Sequence, residues 1–202
     1  MKIKVLGLTA LVGIAIFAIA CSQPPTDAIN AAKAALEAAN AAEAGDYAPE
    51  AFAEAQTAQA ALEAEVKAQE GKFALTRSYA KAAELAAAVK AASDKAVADA
   101  ATGKEAMKAE VTGRIETVKA SVASVKEMLA KAPKGKGSQA DVEAMKSDLA
   151  GIEASFAEIE TAIGAGTYKD AKAKLDAAQK GAALMKADIE AAIAAKAAAV
   201  KK

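Results

Sequence analysis

The sequence predicts an all-α protein of antiparallel helical bundles or coiled-coil hairpins, elongated and sharing one long central helix, and three observations carry that expectation. Alanine fills roughly three positions in ten, and Ala, Glu, Lys and Leu dominate the remainder, a composition typical of long helices. Apolar residues recur at alternating spacings of three and four, which lines one side of a helix, and nowhere do they alternate as in a half-buried strand. Glycine and proline cluster at the points where those stripes stop. The 54% hydrophobic content overstates the core, because alanine buries little area, and aromatics are only 3%.

The chain begins with Lys2 and Lys4, followed by the apolar and small-residue run Val5 to Ala20. At about 16 residues that run suits a secretory leader better than a membrane-spanning helix, which needs about 20. It ends Ala18-Ile19-Ala20-Cys21, and Cys21 is the only cysteine. The segment resembles the lipobox of bacterial lipoproteins, which implies that residues 1–20 are removed and that Cys21 is lipidated as the mature N-terminus. An ordinary secretory leader cut nearby is the alternative. Residues 21–25 form a tether, since Pro24 and Pro25 favour extended backbone. Ser22 after the cysteine resembles the residue choice of lipoproteins sent to the outer membrane, which implies an envelope location facing the periplasm.

Residues 26–100 form an alanine-rich three-helix region. Thr26 is placed to N-cap a first helix running to about Ala44, with Ile29, Ala32, Leu36, Ala39 and Glu43 along its seam. Gly45 is placed to end it, Asp46-Tyr47-Ala48 makes the corner, and Pro49 starts a second helix to about Glu70. Its seam is Phe52, Ala55, Gln59, Leu62, Val66 and Gln69. Gly71-Lys72-Phe73 is the next corner, and a third helix follows with Leu75, Tyr79, Ala82, Ala86, Val89 and Val97 on its buried side. The run Ala48-Pro49-Glu50 after Gly45-Asp46-Tyr47, with Tyr79-Ala80-Lys81-Ala82-Ala83-Glu84-Leu85-Ala86, resembles an alanine-rich domain of unknown function. That domain recurs in bacterial outer-membrane lipoproteins and beside peptidoglycan-binding modules. The resemblance covers about residues 26–100, implies the helical fold and the location, and carries no catalytic residues with it.

Residues 101–202 form an antiparallel three-helix bundle with bulkier seams. Met107, Val111, Ile115, Val118, Val122, Val125 and Leu129 make the first stripe. Gly103 and Gly113 each cost a helix interior about 1 kcal/mol relative to alanine. Two pictures stand: a helix continuous from Lys72 to Lys131, about 90 Å long, or a break near Thr102-Gly103. Pro133 to Gly137 is the clearest loop, with Ser138 and Asp141 resembling a capping box after it. The next seam is Val142, Met145, Leu149, Ile152, Phe156, Ile159 and Ile163, stopped by Gly164-Ala165-Gly166. Thr167 and Asp170 are placed to cap the last helix, whose seam is Tyr168, Ala171, Leu175, Ala178, Ala182, Met185, Ile189 and Ile193. Short loops between striped helices imply antiparallel neighbours. Tyr47, Phe73 and Tyr168 each lie two places after a glycine, which suits a plug over a bundle end; capping of a ligand is the alternative.

Composition narrows the chemistry. With no histidine and one cysteine, haem ligation, zinc-finger sites and Cys/His nucleophilic pairs are excluded. Carboxylate pairs would need Glu-x-x-His to form a diiron bundle, so solvated Glu/Lys pairs at helical spacing explain them better. Lys134-Gly135-Lys136-Gly137 lacks the full phosphate-loop pattern. No basic face or set of stacking aromatics suggests nucleic acid: removing Lys2 and Lys4 from 26 basic residues leaves 24 against 26 acidic, a net charge of −2. The expectation is therefore a protein that is not an enzyme, without catalytic, cofactor or metal residues and without an evident small-molecule substrate. It would reach the membrane through its lipid and serve as a helical spacer or docking module for an envelope protein or peptidoglycan, with leftover apolar residues such as Leu184 as the surface to inspect. The alternative concerns the far end. A lipid at Cys21 and the terminal amine-bearing Lys202 resemble the two ends of the major outer-membrane lipoprotein. That resemblance implies Lys202 as a candidate for covalent attachment to the cell wall.

Overall fold

The computed structural model describes residues 23–131 and 139–200. Among these residues the secondary structure is α-helix apart from short corners and one 3-10 turn, with no strand. The helices are α1 (Thr26–Ala41), the one-turn α2 (Ala44–Tyr47), α3 (Pro49–Glu70), α4 (Ala80–Lys131), α5 (Gln139–Ala165) and α6 (Tyr168–Val200). The fold class is thus all-α. The chain divides into two compact units, one ending at Gly103 and the other beginning at Lys104. Helix α4 runs through that boundary without interruption over 52 residues. It starts at Ala80 rather than near Lys72, and neither Gly103 nor Gly113 breaks it.

In the first unit, α1 follows the two prolines, whose carbonyls accept the first helical amides: Thr26 donates to Pro24 and Ile29 to Pro25. Thr26 is the first helical residue and Pro25 occupies the cap position, with no side-chain cap. The expected glycine stop does not occur. Helix α1 ends at Ala41, and the left-handed residue is the exposed Glu43 at φ 57° rather than Gly45, which lies inside α2. Pro49 opens α3 as its first residue, where its missing N–H costs nothing and its fixed φ suits the helix. Gly71 caps α3 with a right-handed φ of −70°, so that corner needs no left-handed glycine either.

Packing in this unit is built on small side chains. One cluster holds Ala32, Leu62, Tyr79, Ala82, Ala86 and Val89, with Ala28, Ile29, Val66 and Leu85 against it. The other holds Ala39, Ala44, Ala51, Ala96 and Ala100, flanked by Tyr47, Phe52 and Val97. Gln59 on α3 and Ser93 on α4 are buried as well, and Gln59 Oε1 and Ser93 Oγ have no hydrogen-bond partner. A buried polar group without a partner costs roughly 1–3 kcal/mol. The alanines allow backbones to touch: an added Cβ at Gly103 would stand 2.1 Å from the Tyr47 carbonyl oxygen. Gly103 is therefore a contact point for the end of α2, not a defect in α4.

The second unit packs three helical segments: α4 from Lys104 onward, α5 and α6. Ion pairs give their directions. Lys119 pairs with Glu160 and Lys126 with Glu153, so α5 retreats as α4 advances. Glu110 meets Lys172 and Arg114 meets Asp176, so α6 runs parallel to α4. Hence α5 and α6 form an antiparallel hairpin. Its turn is a Schellman motif: the Thr167 amide donates to Ala162 and the Gly166 amide to Ile163, with Gly166 at φ 77°. The Thr167 hydroxyl donates back to the Ala162 carbonyl instead of capping α6. The expected stripes Val111 to Leu129, Leu149, Phe156 and Ile159, and Tyr168 to Ile189 are buried. Val142, Met145, Ile152 and Ile163 cover the edges of the core. Each buried Val, Leu or Ile side chain contributes roughly 1.5–3 kcal/mol.

Four residues expected at covered positions lie outside the core, the exposed seam residue Glu43 among them. Leu75 is 87% exposed because it sits in the 3-10 turn Ala74–Thr76 that precedes α4. Phe73 is 72% exposed, so it plugs nothing, whereas Tyr168 is buried and Tyr47 packs against the alanine cluster. Ile193 is 42% exposed, α6 having passed the last covered turn at Ile189. The expected Pro133–Gly137 loop and Ser138 of the expected cap lie outside the described residues, and Asp141 falls within α5.

The two glycines of α4 should respond oppositely to alanine. Gly113 has nothing within 4 Å of an added Cβ, so Gly113→Ala should stabilise by about 1 kcal/mol. Gly103→Ala should destabilise by roughly 1–3 kcal/mol, because backbone must move to admit the methyl. Urea unfolding of both variants checks this; stabilisation by Gly103→Ala would show that the Tyr47 contact carries no weight.

Candidate functional site

No Asp, Glu, Cys or His group among the described residues is arranged to hold a metal ion. Among the same residues no helix is long and apolar enough to cross a membrane. Cys21 and Lys202, the residues singled out from the sequence for lipidation and for wall attachment, lie outside the described residues.

The densest polar constellation joins α4 to α6 in the second unit. Arg114 stands at its centre, donating to Glu110 Oε1 at 2.8 Å, Asp176 Oδ1 at 2.7 Å and Gln179 Oε1 at 2.6 Å. Lys172 bonds Glu110 as well and lies 3.6 Å from Asp176. Periodicity brings these groups together, since Glu110 and Arg114, like Lys172 and Asp176, are one helical turn apart on facing stripes. Lys119 bridges α4 to Glu160 on α5, with its ammonium 6.0 Å from the Phe156 ring centre. Lys126 reaches Glu153 at 2.8 Å, and Lys174 bonds Glu158 across the α5–α6 hairpin.

Several of these bonds hold a partner in its charged form. The bonds from Lys172, then Arg114, keep the Glu110 carboxyl below the usual carboxylate range. Arg114 does the same to Asp176, and Lys174 to Glu158. Conversely, the bond to Glu110 raises Lys172, and bonds to Glu160 and Glu116 raise Lys119. Carboxylates held low and lysines held high are ion-pair partners near neutral pH, not proton shuttles or amine nucleophiles. The sequence offered the helical pairs within one element. It gave no local sign of the bonds made across 62 residues.

Two surface grooves, one in each unit, border apolar side chains. One runs along the α5–α6 hairpin with a volume of about 580 Å³, bordered by Met145, Gly151, Ile152, Gly181, Leu184 and Asp188. Gly181 makes room for Ile152, whose Cδ1 would lie 2.9 Å from an added Cβ. Leu184, flagged from the sequence, is 59% exposed on its rim. The other, about 430 Å³, lies between α1 and α3, with Lys33, Glu37, Asn40 and Gln56 around Leu36 and Phe52. Searches against protein-family models, curated proteins and solved structures returned no match for the chain.

The ion-pair lattice sets a pH response with a definite sign. Carboxylates depressed in the folded state contribute stability above their unfolded pKa, and lose it as pH falls through the folded value. Raised lysines contribute at neutral pH and lose it as pH climbs through theirs. With no histidine, the unfolding midpoint should be level around neutrality, fall in acid below the usual carboxylate range and fall again in strong alkali. Asp176→Asn should flatten part of the acid slope in thermal scans against pH. A slope equal to that of the unsubstituted chain would mean that the network is inert in solution.

Proposed function

We propose that this is a non-enzymatic, lipid-anchored protein of the bacterial cell envelope, most simply placed at the outer membrane facing the periplasm, where its helices act as a spacer or docking module. The observation that carries this reading is the Ala18-Ile19-Ala20-Cys21 box closing a leader of two lysines and an apolar run. The helical bundles fit it. Faces covered by Glu, Lys and Ala, with carboxylates and lysines committed to each other, suit a body that sets distance and presents surface rather than one that transforms a substrate. Leu184, exposed beside the α5–α6 groove, is the apolar feature on which a docking role would draw.

The second reading is covalent linkage to peptidoglycan through Lys202, two residues after the end of α6 in the sequence. Metabolic labelling with a fatty-acid analogue should tag the unsubstituted chain and not Cys21→Ser; equal labelling of both would sink the lipid anchor. Muramidase digestion of purified cell wall, searched for a muropeptide joined to Lys202, decides between linkage and simple spacing or docking.

A further inference from the structure

The corner between α3 and α4 carries two of the most exposed large apolar side chains among the described residues, Phe73 and Leu75. Exposure of this kind usually accompanies a loose loop, but this corner is pinned. Arg77 reaches back to donate from Nε to the Lys72 carbonyl and from Nη2 to the Glu70 carbonyl, each at 2.9 Å. The Thr76 hydroxyl donates to the Phe73 carbonyl at 2.8 Å. The Ser78 amide donates to Oε1 of the buried Gln69, whose own amide is held by Glu65. The apolar pair is thus held outward by bonds from both sides of the corner.

The position of the corner is the second observation. Ala28 and Ile29 at the start of α1 share a cluster with Val66 near the end of α3 and Tyr79 at the start of α4. The end of this bundle from which α1 departs is therefore the end that bears Phe73 and Leu75. The other end carries Tyr47 and Ala48, packed with Ala96 and Ala100. Cys21 precedes Thr26 by five residue steps, a reach of at most about 18 Å in extended chain.

We propose that the Gly71–Ser78 corner is a second membrane contact, Phe73 and Leu75 entering the headgroup–acyl boundary of the same leaflet that holds the lipid on Cys21. The inference rests on the lipid-anchored reading above. Aromatic and aliphatic side chains beside cations are the chemistry that binds a bilayer interface, and Lys72 and Arg77 flank the pair. Asp27 and Glu70 share this end, so burial of the apolar pair, not net charge, drives the contact. A second contact close to the first also restricts how the bundle tilts about its tether.

The chain has no tryptophan, so one introduced residue reports cleanly. The mature lipidated protein would be reconstituted into vesicles of phosphatidylethanolamine and phosphatidylglycerol, as Phe73→Trp and, separately, as Ala53→Trp. Ala53 is exposed on α3 near the opposite end of the same bundle. Emission from Phe73→Trp should shift to shorter wavelength and be quenched several-fold more by lipids with brominated acyl chains than emission from Ala53→Trp. Circular dichroism verifies that both variants keep the helical fold. If mass spectrometry finds acyl chains on Cys21 and both tryptophans remain equally open to aqueous iodide, the second contact is refuted while the anchor stands. If Cys21 carries no acyl chain, the anchor reading fails and this inference fails with it.

Discussion

A buried alanine removes one methyl group from water, worth about 0.8 kcal/mol, where a valine, leucine or isoleucine contributes roughly 1.5–3. A bundle whose inner faces are mostly alanine can therefore hold only if its backbones come close enough for those methyls to be fully enclosed. The first unit meets that condition literally. Ala32, Ala39, Ala44 and Ala55 have no exposure left, and the Tyr47 carbonyl rests against the backbone of Gly103. Every other feature of that unit depends on this approach. The left-handed Glu43 lets α2 double back after α1, and the one-turn α2 delivers the carbonyl. Gln59 and Ser93 are enclosed in the same unit, Gln59 Oε1 and Ser93 Oγ without a hydrogen-bond partner. The second unit meets the same requirement with bulk instead of proximity, through Val111, Ile115, Val118, Leu149, Phe156, Ile159 and Leu175.

That difference also explains which parts were legible in the sequence. Stripes of Val, Ile and Leu name their own buried face, so the seams of α4 beyond Met107, of α5 and of α6 emerge as expected. Alanine is at home both inside and outside a helix, yet the spacing alone set Ala32, Ala39, Ala55, Ala82 and Ala86 on the inner seams of the first unit, and they are buried. The corners mislead for another reason. Glycine marks a place where the chain can turn left-handed, but the turn falls at Glu43 in one corner and is right-handed at Gly71 in another. Among the described residues, only at Gly166 do the permissive residue and the left-handed conformation coincide. Leu75 continues the periodicity of α4 on paper. The carbonyl bonds of Arg77 shape residues 72–77 into a separate turn, and nothing in a hydrophobic pattern records an arginine's reach. Gly103 presents the same difficulty, because local propensity counts the helix it weakens and not the distant backbone it admits. The Ala18-Ile19-Ala20-Cys21 stretch, which resembles a lipobox, lies outside the described residues.

The two units are specified by different means. In the second, interhelical ion pairs repeat along the α4–α5 and α4–α6 faces, and a slip by one turn would set each against the wrong neighbour. Such pairs at a solvated surface add little to stability individually. Their value lies in selecting one register from several that a uniform apolar stripe would accept. In the first unit Lys81 pairs with Glu65 between helices, and close steric fit joins it: an added Cβ at Gly103 would stand 2.1 Å from the Tyr47 carbonyl oxygen, and Ala39 and Ala96 have no exposed surface.

The Schellman turn at Gly166 also governs the order in which the second unit can assemble. Lys174 and Glu158, the pair it brings together, are 16 residues apart, against 62 for Lys172 and Glu110. Loop-closure entropy rises by about 0.6 kcal/mol for each doubling of length, so the hairpin closes more cheaply than the parallel contact by roughly 1.2 kcal/mol. The α5–α6 hairpin is thus the entropically favoured nucleus, onto which the valine stripe of α4 can then dock. In a chain delivered N-terminus first, that nucleus emerges after α4, so α4 arrives before the surface it is to cover.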